Sequence, residues 1–239
     1  MNKEETIHTS RTMMFEELSK VMDHAIEDDK YLDSLNENIA NKLTKSNQIK
    51  TARYLKQLYD FDFARISFIV FKYFWQISEP SSRPLLTLLY GLNKDYLLIE
   101  SISVITDTKV GEKASIEKFE ENIEKYHPGR FTDKTRLSVA QNIASSWKQA
   151  GFITGRVKNI RTQPVITYQV VAFAFVLAYF HKQRGDFILS SKWSKALCLG
   201  YLQLRELALE AAKRDLLQYH YAGNVTSISF SNLFNKLGI

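Results

Sequence analysis

The 239-residue sequence has one cysteine, Cys198, which excludes an internal disulfide and a cysteine-based zinc site and removes any dependence on an oxidising compartment. Breakers are also scarce, with nine glycines and four prolines, so long helices are expected and a β-sandwich or barrel is not. No hydrophobic run reaches the length of a membrane span. The longest, Val165 to Phe180, is interrupted in its first half by Thr167, Tyr168 and Gln169 and predicts a buried helix. The first forty residues carry ten acidic and four basic side chains and lack the basic start and apolar run of a signal peptide. The expected address is therefore the cytosol, with Asn224-Val225-Thr226 a chance match to a glycosylation acceptor.

Catalytic signatures are missing as well. The chain contains no G-x-x-x-x-G-K-[ST] loop, dinucleotide G-x-G-x-x-G, nucleophile-elbow G-x-S-x-G or kinase set. Its five histidines are scattered without an H-x-x-x-H pair, and Asp60 and Asp62 read as caps or surface groups rather than magnesium ligands. No catalytic site, metal or cofactor is expected.

What is present is a hydrophobic fraction of 45%, ample for a core, and an uneven charge distribution. Residues 130–161 hold seven cations against one acid, Asp133, a local excess equal to the +6 of the whole chain. Concentration of charge in one segment points to an anionic partner, nucleic acid first.

Apolar periodicity predicts helices over about 12–24, 32–43, 48–59, 63–77, 85–93, 95–105, 115–126, 134–150, 165–180, 192–199 and 202–216. The aromatic-rich helix over 63–77 reads as the centre of a bundle rather than a base-stacking platform. Leu217–Tyr221 and Val225–Phe230, joined by Ala222-Gly223-Asn224, give the strongest hairpin signal, and a second, basic hairpin is expected between Gly151 and Pro164. The expected fold is mainly α, a multi-helix bundle with winged-helix-like units and two short β-hairpins. Its expected parts are an N-terminal helical region (1–110), a winged helix-turn-helix-like unit (111–164) and a C-terminal helical region ending in a hairpin (165–239).

Within the middle unit, the 134–150 helix places Leu137, Ala140, Ala144 and Trp147 along one stripe and polar residues opposite. A helix followed by a basic hairpin is the tail of a winged helix-turn-helix, in which the helix enters the major groove and the hairpin follows the backbone. The candidate DNA-contacting residues are therefore Lys134, Arg136, Lys148, Arg156, Lys158 and Arg161 for phosphates, and Gln141, Asn142 and Ser145 for base edges. Lys45, Lys50, Arg53 and Lys56 form a second basic strip that either extends this footprint or solubilises its helix. The C-terminal hairpin has no Lys or Arg between Gln218 and Leu233 and reads as structural or protein-contacting.

Three segments resemble a known family. They are Thr44-Lys-Ser-Asn-Gln-Ile-Lys-Thr-Ala-Arg-Tyr-Leu-Lys-Gln-Leu58, the paired apolar stretches Leu85–Tyr90 and Tyr96–Glu100, and Leu137-Ser-Val-Ala-Gln-Asn-Ile-Ala-Ser-Ser-Trp-Lys-Gln-Ala-Gly-Phe-Ile153. In this order they are similar to the BrxA family of BREX phage-defence proteins, whose fold has been likened to the antitermination protein NusB. The resemblance covers about 40–155 and leaves the acidic start and residues 165–239 unmatched. It implies a non-catalytic DNA-binding accessory protein acting beside larger methyltransferase and ATPase partners.

The leading expectation is thus a sequence-tolerant binder of double-stranded DNA, with other defence proteins and a second copy of the chain as further partners. The rivals are a scaffold whose basic face meets an acidic protein, and an RNA-binding protein.

Overall fold

The computed structural model describes residues 6–222 and 225–239. It is mainly helical with two short antiparallel hairpins, as the shortage of breakers predicts. The first half comprises α1 (Phe15–Ala25), α2 (Tyr31–Asn36), α3 (Lys45–Tyr59), α4 (Ile66–Ile77), α5 (Arg83–Gly91), α6 (Tyr96–Glu100) and α7 (Ile102–Thr106). Next come α8 (Ile116–Tyr126), α9 (Asp133–Gln149) and the hairpin of β1 (Ile153–Thr154) and β2 (Ile160–Arg161). The last part holds α10 (Tyr168–Phe180), α11 (Asp186–Leu189), α12 (Lys192–Ala196), α13 (Tyr201–Ala212), β3 (Gln218–Ala222), β4 (Val225–Ser229) and α14 (Ser231–Leu237).

Local chemistry sets the boundaries. Thr44, in extended backbone, accepts the Asn47 N–H at 3.3 Å and starts α3 three residues earlier than the periodicity suggests. The expected helix over 32–43 stops at Asn36 because the Asn38 side chain bonds both the N–H and the carbonyl of Lys42, each at 2.9 Å, offering the backbone an alternative to helix. The expected helix over 95–105 divides at Ser101, whose hydroxyl donates to the Leu98 carbonyl at 2.7 Å and accepts the Trp147 indole N–H at 2.8 Å. The short helices α11 and α14 have too few turns to show a periodicity and were not anticipated. Gly185 precedes α11 with φ +52°, and a Cβ there would lie 2.8 Å from the Thr226 carbonyl, so the approach of β4 requires glycine.

The core is centred on α10, where every residue from Val170 to Ala178 is fully buried. Phe173 meets Phe71 at 5.8 Å and Phe74 at 5.3 Å, so the aromatic α4 and the apolar α10 pack on each other. Each such buried ring contributes about 1.5–3 kcal/mol. Val165 to Phe180 is therefore a core helix that begins at Tyr168, and among the described residues no helix is long and apolar enough to cross a membrane. The turn residues Gly223 and Asn224 lie outside the described residues, but β3 and β4 pair from Gln218↔Ser229 to Ala222↔Val225.

Candidate nucleic-acid interface

The middle of the chain follows the order helix, strand, helix, helix, strand, wing, strand. After α7, Lys113 forms an antiparallel bridge with Ile160, and the Arg161 N–H donates to the Glu112 carbonyl at 2.8 Å. The Ala114 N–H donates to the Asn159 carbonyl at 2.8 Å on the same edge. β2 therefore lies between this edge and β1, with Ile153↔Arg161 and Thr154↔Ile160 as pairs. Gly155, at φ +89°, turns the chain into a wing tip of Arg156, Val157 and Lys158, all exposed. The expected basic hairpin is present, and it has a third edge that the hairpin sequence alone does not reveal.

α8 and α9 are joined by the turn 127–132. The Thr132 hydroxyl caps α9 by accepting the Thr135 N–H at 3.3 Å. Arg136 pairs with Asp133 at 2.8 Å, Glu124 at 3.3 Å and Glu120 at 3.8 Å, pinning α9 to α8. Its charge is already met by three carboxylates, so Arg136 is corrected from phosphate contact to helix clamp.

α9 has two covered flanks and one open row. Val139, Ala140, Ile143, Ala144 and Trp147 face the core. A second flank lies under residues 6–15, a strap that crosses the helix. Asn142 Nδ2 donates to the His8 carbonyl at 2.9 Å, the Gln149 amide bonds the Thr12 hydroxyl and the Phe15 N–H at 3.0 Å each, and the Ser146 hydroxyl accepts the Met13 N–H at 2.8 Å. Asn142 is thus corrected from base reader to strap anchor. The open row keeps Lys134, Ser138, Gln141, Ser145 and Lys148, spaced by three or four residues, with Ser145 and Lys148 half-buried.

Arg161 requires the third correction, because it is only 2% exposed. Its Nε donates to the Ile105 carbonyl and its Nη2 to Gln163 Oε1, each at 3.1 Å, while Nη1 bonds the Thr162 carbonyl and the guanidinium lies over Phe152 at 5.1 Å. It ties the wing base to α7. Arg161→Ala is expected to lower stability by about 1–3 kcal/mol, the cost of leaving a buried carbonyl unmet, in a urea melt. The salt dependence of any nucleic-acid binding by the folded fraction should be unchanged. Lys134, Lys148, Arg156 and Lys158 remain, none of them in an ion pair among the described residues. The edge strand adds exposed Lys113, which sequence reasoning missed because the surrounding segment 101–129 is net acidic.

The strap is fastened by a buried cluster with no local sequence signature. His8 Nδ1 lies 2.7 Å from Asp95 Oδ2 and its Nε2 lies 2.8 Å from Ser146 Oγ, with all three residues essentially inaccessible. Ser-His-Asp contacts of this kind are also found in hydrolases, but here the hydroxyl is enclosed, accepting from Met13 and donating to the Asn142 carbonyl at 3.0 Å. The arrangement holds chain to chain. Burial on its own would raise the Asp95 carboxyl, but the charge and hydrogen bond of His8 and the N–H groups of Ile7 and Leu98 outweigh it and hold the carboxyl below its ordinary value.

The C-terminal unit repeats the plan of two helices and a hairpin with a different surface. Phe187 of α11 and Tyr201 of α13 are strongly exposed and line one shallow pocket with Arg205, and Leu202, Tyr221 and Val225 are exposed as well. Arg205 is occupied, pairing with Asp186 at 3.4 Å and lying over Tyr221 at 4.3 Å. This face is apolar rather than basic. Among the described residues no group of three or more His, Cys, Asp or Glu is placed to hold a metal ion.

Compared with family models, curated proteins and solved structures, the chain finds no match. The functional reading therefore rests on the surface just described and on the segment resemblance.

Proposed function

We propose that this protein is a non-catalytic, sequence-tolerant binder of double-stranded DNA that docks through the open row of α9 and the 155–158 wing. The observation that carries the reading is a helix and its following wing bearing four cations without acidic partners, Lys134, Lys148, Arg156 and Lys158. Such a surface suits phosphates, and Gln141 on the same row is free to meet a base edge. The resemblance to BrxA adds the setting, an accessory role in a BREX-like phage-defence system in the cytoplasm.

The test is a titration against a labelled random-sequence duplex at several salt concentrations. Four neutralised phosphates give a slope of log affinity against log salt of at least about −3.5 in magnitude. No binding at low salt sinks the proposal. Competition by structured RNA stronger than by duplex DNA would transfer the surface to RNA. A second reading, a protein-docking scaffold, is favoured only in the C-terminal unit, by the exposed Phe187, Tyr201 and Leu202.

A further inference from the structure

A polar cleft of about 350 Å³ opens between the strap, α3 and α9. Ser10, Arg11 and Thr12 line it from the strap, Lys42 from the segment before α3, Asn47 from the first turn of α3, and Asn142 from α9. Asn142 is adjacent in sequence to Gln141 of the open row, so the cleft adjoins the proposed DNA-facing surface. Its one acid, Glu17, is neutralised by Lys42 at 2.6 Å. That leaves Arg11 as the uncompensated charge of a lining completed by hydroxyls, amides and the thioether of Met14.

Beside Arg11 the surface is more basic still. The guanidinium groups of Arg11 and Arg53 lie over the Tyr54 ring, at 5.9 Å and 4.7 Å from its centroid. Stacking on an aromatic face leaves the edge of a guanidinium, with its donors, open to an oxyanion. Lys50 stands three residues before Arg53 on the exposed side of α3, and none of the three cations is in an ion pair among the described residues. The Tyr54 phenol is held below its ordinary value: the Ser10 hydroxyl is the largest cause, burial opposes it, and the hydrogen bond and charge of Arg53 and the charge of Arg11 add to the lowering. The surroundings favour negative charge.

We propose that this cleft is a phosphate-binding site, with Arg11 as its central ligand and Lys50 and Arg53 beside it. The inference rests on the DNA-binding reading for its preferred source, a backbone phosphodiester flanking the duplex segment held by α9 and the wing. None of the four cations of the second basic strip lies in the cleft wall itself; Arg53 is assigned to the site because it shares the Tyr54 ring with Arg11, and Lys50 because it stands one turn before Arg53. A free phosphate or nucleotide presents the same oxyanion chemistry.

Two titrations separate the sources. With all seven cations engaged the wild-type salt slope is about −6, and the neutral triple variant Arg11→Gln/Lys50→Gln/Arg53→Gln flattens it by about 3. That result supports the site with DNA as its source. If the duplex slope is unchanged, saturable binding of inorganic phosphate by calorimetry, lost in Arg11→Gln, supports a phosphate site with a free ligand. An unchanged slope together with no phosphate binding overturns the inference while leaving the wing reading intact. Wild-type protein that binds neither duplex nor phosphate overturns both. The double variant Lys50→Gln/Arg53→Gln changes only exposed α3 residues and keeps the test valid if Arg11→Gln impairs strap docking; it should flatten the slope by about 2.

Discussion

Replacing His8 by alanine is expected to destabilise the protein by about 3–5 kcal/mol in chemical denaturation, the range for removing one member of a buried ion pair. Asp95 would be left charged and enclosed, and the Met13 N–H would depend on a Ser146 hydroxyl that has lost its imidazole neighbour. Adding Asp95→Asn should restore part of the loss by removing the uncompensated charge. A single-variant effect below about 1 kcal/mol would show that the contact contributes little.

The same pair fixes the direction of an acid effect. The Asp95 carboxyl is depressed in the folded protein, so its contribution to stability is complete above the unfolded carboxylate value, about 3.9, and is lost as pH falls through the lower folded value. The stability difference between wild type and Asp95→Asn should therefore shrink as pH falls below about 4. A difference that widens on acidification would contradict the depressed carboxyl.

The second large effect concerns binding. Arg156→Gln/Lys158→Gln should fold normally, because both side chains are exposed at the wing tip and Gly155, which shapes the turn, is retained. Duplex binding should weaken and its salt slope flatten by about 2, one unit for each lost phosphate contact. Charge reversal to Glu should reduce affinity further, since two repulsive groups replace two attractive ones. If the double Gln variant binds with unaltered affinity and slope, the wing is not part of the interface. The two arms are independent: the His8 variant reports on strap docking by stability, the wing variant on surface charge by affinity.

Much of the scaffold was legible because its causes are local. Thr44 and Thr132 announce helix starts, the apolar run after Gln169 announces a central helix, and the alternation around Tyr219 and Ile228 announces a hairpin. The candidate interface was only half legible, because a polar residue on a helix is written the same way whether it faces water or another stretch of chain. Asn142 and Gln149 look like solvent-facing groups until residues 6–15 are laid across them. Arg136 could have been discounted from sequence, since Asp133 is one turn away and α8 offers Glu120 and Glu124. Arg161 shares its residue type with Arg156 but sits in the paired part of the hairpin, where strand alternation turns one side chain in. Arg11 was hidden for the opposite reason: it lies in a segment whose net charge is strongly negative. Lys113 reaches the wing sheet across 47 residues of chain, a distance no local pattern encodes.

The fastening of the strap also bears on how the molecule is assembled. His8 is joined to Asp95 and Ser146, and Ser146 lies 138 residues further along the chain. Contacts of such separation close late, after loop entropy has been overcome, and slow the final folding step relative to the helices themselves. At about 5–20 residues per second of synthesis, residues 6–15 wait roughly 7–30 s for α9 to be made. Throughout that interval Met13 and Met14, buried in the finished fold, have only part of their docking surface, the Tyr59 side of α3, so an apolar segment of the nascent chain stays incompletely covered until the middle of the sequence arrives.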